Sequence, residues 1–220
     1  MHNTLPPGLL DPRGDSALGT AVERIAQILE QAQGRVFLGI AGSPGAGKST
    51  LATLLAERFG AAAAVVPMDG FHLSDRVLSA RGALERKGAI DTFDADGYVA
   101  LLRRLGSEAD RPVFAPRFER DLEEPIAAGL EIPPTARLII TEGNYLLAEA
   151  DPWRRLREIC AEIWFVDPPP DVRLERLVAR HELFGKSPEA ARAWVSGTDE
   201  VNARIVERTR DRADRVIPCA

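Results

Sequence analysis

Two cysteines in 220 residues are too few for a disulfide-stapled fold. One of them, Cys160, sits in the apolar stretch EICAEIWF, where a buried, inert thiol is expected. That usage fits a reducing compartment. Basic excess is missing too: a formal net charge of -5 excludes a general nucleic-acid binder, because phosphate backbones demand basic surface. Any bound phosphate must therefore be met by a local site. No run approaches the roughly 18 apolar residues of a membrane span. The opening MHNTLPPGLLDPRGD lacks the basic region and apolar core of a targeting signal. A soluble, cytoplasmic chain with neither nucleic acid nor membrane as partner is expected. Internal repeats and low-complexity tracts are also absent, which leaves out a repeat array.

What is present is a hydrophobic content of 45%, ample for one domain with a sizeable core. Residues 1–15 are rich in Pro, Gly and Asp and read as a flexible leader to a domain spanning 16–220. Thr20 and Glu23 read as a capping box, and Val22, Ile25, Leu29 and Ala32 share one face of a helix ending near Gly34. Short apolar runs without alternation follow at RVFLGIAG, AAVVPM, RLIITE, EIWFVD and, more weakly, DRVIP. Helix-like segments separate most of them, which predicts an α/β three-layer sandwich around a five-stranded parallel sheet. The interval 70–136 far exceeds the dozen residues a crossover needs, so an insertion is expected there.

GSPGAGKST, residues 42–50, fits GxxxxGK[ST] directly after a strand and before a helix. Gly42, Gly45 and Gly47 permit dihedrals and close approach that side chains forbid, so backbone N–H groups of the loop, with Ser43, Pro44 and Ala46 between, can turn onto phosphate oxygens. Lys48 supplies positive charge for the β and γ phosphates. Ser49, followed by Thr50, offers a hydroxyl to Mg²⁺. ATP and Mg²⁺ are the expected cofactors.

Asp69 ends the second apolar run, on the sheet edge that the phosphate loop also occupies. A carboxylate there suits an acceptor hydroxyl, which it can orient and relieve of its proton. An N-cap or an outer ligand of Mg²⁺ is the alternative. His72 reads as a substrate contact or as a packed histidine.

GIAGSPGAGKST, MDGFHL, RKGAIDTFD and TEGNYLL, in this order, resemble the phosphoribulokinase, uridine kinase and type I pantothenate kinase superfamily, nearest to its small fructose transport system kinase-like and uridine-kinase-like members. The similarity spans residues 36 to about 217. It implies a P-loop kinase fold with Asp69 as catalytic base, and with Glu142 and Asn144 beside metal and substrate. Where uridine kinases carry an Asp-Ser-Phe-Tyr run, this chain has Asp69, Gly70, Phe71 and His72. Its PRFERD also departs from the pantothenate-contacting stretch, so the acceptor stays open.

The resemblance makes residues 79–125 a substrate-binding insertion, with Arg86, Lys87 and Asp94 first among its contacts and Arg117 and Arg120 behind them. A solvated lobe accounts for the same charges individually. In 171–187, the lid position of the family, Arg173, Arg176 and Arg180 fall on one helix face, placed for phosphates or for surface pairs with Glu175 and Glu182. Gly185 is a candidate hinge. Ser187 and Pro188 predict the start of a last helix, which Gly197 is expected to break. Trp194, Asp199 and Asn202, shared with the similar proteins, read as packing residues, with a lid-closing or nucleotide-edge role as the alternative.

Two functions fit: an ATP-dependent kinase acting on a small hydroxylated molecule, and a nucleotide-dependent switch. No NKxD-type guanine reader, heptad pattern or basic arm supports the switch, so the kinase is the expectation. A homodimer is left open.

Overall fold

The computed structural model describes residues 12–219, and the expected leader lies mostly outside the described residues. The helices are α1 (Pro12–Gln31), α2 (Lys48–Phe59), α3 (Asp75–Ala80), α4 (Ala95–Ser107), α5 (Leu156–Ile159), α6 (Pro170–Leu183), α7 (Pro188–Trp194) and α8 (Glu200–Glu207). The strands are β1 (Val36–Ala41), β2 (Ala63–Pro67), β3 (Val113–Glu119), β4 (Glu124–Ile132), β5 (Leu138–Gly143), β6 (Glu162–Asp167) and β7 (Arg215–Pro218).

The five runs read as strands form one sheet in the order β2-β5-β1-β6-β7, and every pairing in it is parallel. β1 and β5 are buried along their whole length, which is why their sequences show no polar alternation. Leu38 and Ile40 face a core shared with Ile25 of α1 and Leu51 and Leu55 of α2. Phe37 and Ala41 face the opposite core, with Tyr98, Leu102 and Leu105 of α4 and Val206 of α8.

Three expectations are corrected. α1 starts at Pro12, a residue suited to a first helical turn, so Thr20 and Glu23 lie inside the helix and do not cap it. Its apolar face is as expected, with Val22, Leu29 and Ala32 packed around buried Ile25. The stretch 79–125 is not one lobe. α4 is the sheet's own covering helix, with Tyr98, Leu102 and Leu105 at 0% exposure, whereas β3 and β4 form a separate antiparallel hairpin reaching Ile132. Finally, Gly197 does not break the last helical segment. A π-helical turn, Val195–Asp199, carries α7 into α8. The start of α7 is as expected, with Ser187 Oγ accepting from Ala190 N at 3.2 Å and Pro188 in the first turn.

The hairpin escaped the sequence reading because most of β4 is exposed and lacks a buried stripe. It crosses the end of β2 at Gly70, where a Cβ would stand 2.4 Å from the Pro116 carbonyl oxygen. Among the described residues no helix is long and apolar enough to cross a membrane.

Candidate active site

Parallel strands bring the C-terminal ends of β1, β2 and β5 to one edge. From β1 the chain enters the glycine loop with φ of +78° at Gly45 and +94° at Gly47, a region that side chains rarely adopt. At Gly45 a Cβ would also meet Leu177 Cγ at 2.6 Å, so α6 lies directly on the loop. Ser43 is buried, and among the described residues its hydroxyl has no partner.

Lys48, the first residue of α2, is buried and donates to the Ser43 carbonyl at 3.1 Å and to Asn144 Oδ1 at 2.8 Å. Burial brings its ammonium down to about 8, against the opposing pull of Glu142 and Asp69. Thr50 follows half-buried in the same helix. Ser49 Oγ donates to Glu142 Oε1 at 2.9 Å. Glu142, itself buried, has its pKa raised by desolvation and next by the Asp69 charge.

Beyond β2, the short 3₁₀ turn Met68–Phe71 carries Asp69 over the same edge. Its carboxylate caps no helix and instead meets Arg120 Nη2 at 3.5 Å, which removes the N-cap alternative. Asp69, Lys48, Ser49, Glu142 and Asn144 line one cavity of about 400 Å³. His72 lines it too, its ring centroid 4.1 Å from that of Phe93 and 4.8 Å from that of Phe118. Its Nδ1 lies 2.7 Å from the Asp69 carbonyl oxygen.

Of the insertion residues, Lys87 and Arg120 reach this cavity. Lys87 Nζ lies 2.5 Å from Asp75 Oδ1 and also donates to the Glu123 carbonyl. The other three do not line it, and each has a partner a few residues away. Arg86 is exposed and forms a two-pronged pair with Asp91. Asp94 is the N-cap of α4, accepting from Gly97 N at 2.9 Å. Arg117 is exposed on β3, 4.0 Å from Glu119.

The arginine stripe also divides, because the first turns of α6 pack on the phosphate loop and only its last turn overlooks the cavity. Arg173 is 5% exposed and bonds Glu200 and, at 3.4 Å, the Pro44 carbonyl. Arg176 Nη1 is 3.6 Å from the position a Cβ on Gly47 would take. Arg180 lines the cavity, its pKa lowered chiefly by burial. Trp194, Asp199 and Asn202, read either as packing residues or as lid residues, line the cavity as well, together with His181 and Phe184, which the sequence reading passed over. His181 Nε2 lies 2.7 Å from Asp199 Oδ2. The one signal for His181 is its place next to Arg180.

The arrangement offers phosphate-binding backbone, a buried ammonium and an oxygen pair on one side, and a carboxylate facing them on the other. A sequence model of the phosphoribulokinase / uridine kinase family matches residues 37–220. A protein provisionally named uridine kinase C227.14, from Schizosaccharomyces pombe, is 34% identical over 205 residues, covering 88% of this chain and 87% of its own. The ATP-dependent kinase-like protein notR' of Aspergillus versicolor is 34% identical over 160 residues, covering 69% of this chain and 93% of its own. Among solved structures, a provisionally named fructose transport system kinase from Silicibacter sp. TM1040 has a TM-score of 0.83 at 39% identity, over 90% of this chain and 98% of that one.

Proposed function

The chain belongs to the phosphoribulokinase/uridine kinase family and is a small-molecule kinase, and on that premise we propose that it moves the γ-phosphate of ATP to a hydroxyl of a sugar, nucleoside or pantothenate-like alcohol. The observation that carries this reading is the placing of Lys48 and Asp69 in one cavity. Asp69 orients the acceptor oxygen and takes its proton late in a largely dissociative transfer, where alignment counts for more than basicity.

The loop from Gly42 to Thr50 holds the phosphates with backbone N–H groups, and Lys48 supplies charge at the β and γ oxygens. Asn144 keeps the Lys48 ammonium in place through the bond at 2.8 Å. Arg180 reaches the transferring phosphate from α6, with Arg176 beside the loop. Arg173 touches no substrate and instead steadies the loop through Pro44. His72, Lys87 and Arg120 belong to the acceptor side.

Ser49 and Glu142 fit Mg²⁺: they are two oxygen donors in contact, one of them a buried carboxylate whose desolvation a cation offsets. Among the described residues no cluster of three His, Cys, Asp or Glu forms a cage, in keeping with an ion that takes one or two protein oxygens and completes its shell with waters and substrate phosphates. Bound there, Mg²⁺ would neutralise charge on the β and γ oxygens.

The test is ADP production over a panel of sugars, polyols, nucleosides and pantothenate. ADP formation that depends on one class of acceptor is expected. ADP at a single rate whatever is added overturns the transfer reading and favours the switch.

A further inference from the structure

Tyr98 of α4 and Thr141 of β5 are both fully buried, and their hydroxyls are bonded to each other. Thr141 Oγ1 also stands 2.7 Å from the Val66 carbonyl oxygen. A carbonyl can only accept, so the Thr141 hydrogen goes to Val66 and the phenol must be the donor to Thr141. Phenylalanine and valine would fill the same space with no polar atom to desolvate. The two hydroxyls instead form one directed chain, from Tyr98 through Thr141 to Val66, beside the apolar side chains of the α4 core.

That chain ends where the sheet is least secured. β2 is an edge strand with β5 as its one neighbour among the described residues, and their register closes at Pro67 opposite Glu142. Proline has no N–H for the ladder, so the last paired residue before Asp69 gives no backbone bond, and the Thr141 hydroxyl ties the strand one residue earlier. The turn beyond β2 rests directly on β5: a Cβ on Gly143 would stand 2.5 Å from that of Met68. After Asp69, the Phe71 carbonyl accepts from Asp94 N at 2.8 Å, and the Phe71 ring centroid lies 5.1 Å from that of Tyr98. Tyr98 therefore acts on the chain before Asp69 through its hydroxyl and after it through its ring.

Resting on the kinase reading, we propose that Tyr98 is a positioning residue: through Thr141 it fixes the end of β2, and so holds the Asp69 carboxylate in the place, relative to Lys48 and Glu142, that transfer requires. Neither Tyr98 nor Thr141 lines the cavity, so neither meets a substrate. Their effect falls on kcat, because a reacting group misplaced by about 1 Å loses up to about 10²-fold in rate.

The test measures kcat, KM and urea unfolding together, with the acceptor that supports ADP formation. Tyr98→Phe leaves Thr141 bonded to Val66 and keeps the fold, and its kcat is expected to fall about tenfold with KM for ATP held within about twofold. Thr141→Ser keeps the oxygen and most of the rate. Thr141→Val strands the buried phenol and lowers the urea midpoint, whereas the double variant Tyr98→Phe/Thr141→Val removes both partners and regains the midpoint. Its kcat is expected to stay low. Stability and rate part company in that one protein, which a merely structural pair of hydroxyls would not produce.

Parent kcat in Tyr98→Phe overturns this proposal and leaves the kinase reading intact, as does a double variant that regains rate and midpoint alike. A rate in Thr141→Ser as low as in Thr141→Val does the same, and so does a loss of kcat matched by an equal loss of ATP affinity. ADP formation indifferent to every acceptor in the parent protein overturns both.

Discussion

The Arg120 guanidinium stands 3.5 Å from the Asp69 carboxylate, so the tip of the β3–β4 hairpin touches the residue assigned to the acceptor's proton. The same guanidinium lies 6.0 Å from the Phe184 ring centroid, at the end of α6. Hairpin, the turn after β2 and the end of α6 therefore meet at one side chain. With side-chain exposures of 41% and 34%, the pair contributes only about 0–1 kcal/mol to stability, and its consequence falls on chemistry.

Arg120→Ala is accordingly expected to keep its urea midpoint within about 1 kcal/mol of the parent, while acceptor-dependent ADP formation drops about tenfold or more. Loss of stability without loss of rate would reverse that assignment.

Asp69→Asn preserves shape and removes the proposed proton acceptor. Its kcat should fall by about 10²–10⁴ with ATP affinity held within about twofold, read by ADP release and by nucleotide titration. Unchanged turnover takes Asp69 out of the mechanism.

Arg173 and Arg86 provide a matched contrast. Arg173, 5% exposed, is bonded to Glu200 and to the loop carbonyl of Pro44. Arg173→Leu leaves Glu200 without its partner and should cost about 3 kcal/mol in urea unfolding, with weaker ATP binding as the loop loosens. Arg86→Ala, at an exposed pair, should leave the urea unfolding curve and the rate unchanged.

Cys160 is buried, and burial pushes its thiol up to about 12. At pH 8 almost none is thiolate, the reactive form. A thiol reagent should label Cys219 before Cys160, and Cys160 only when urea unfolds the chain, as mass spectrometry of the labelled peptides would report.

The phosphate loop and the five parallel strands were legible because both are local patterns: glycines at fixed offsets, and apolar runs covered on two faces. The hairpin was not legible, since its exposed β4 carries no periodic apolar signal. The charged residues were legible only as a pool. Whether Arg86, Asp94 and Arg117 serve a ligand or a neighbour depends on which oxygen or N–H stands nearest, and each had one close by. Trp194, Asp199 and Asn202 reach the cavity because Asp199 of the π-helical turn meets His181 of α6 and Asn202 of α8 reaches the Gly88 carbonyl, an arrangement no run of neighbouring letters expresses.

Alone, the order of residues determined the fold class, the glycine cradle and the acid that follows the second strand, because short-range sterics and burial periodicity act within a few residues. Tertiary structure decided which arginine enters the cavity, which only braces the loop, and how Asp69 and Lys48 come to share one space. Those outcomes depend on distances between segments far apart in the chain, and packing of the sheet edge, hairpin and α6 sets them.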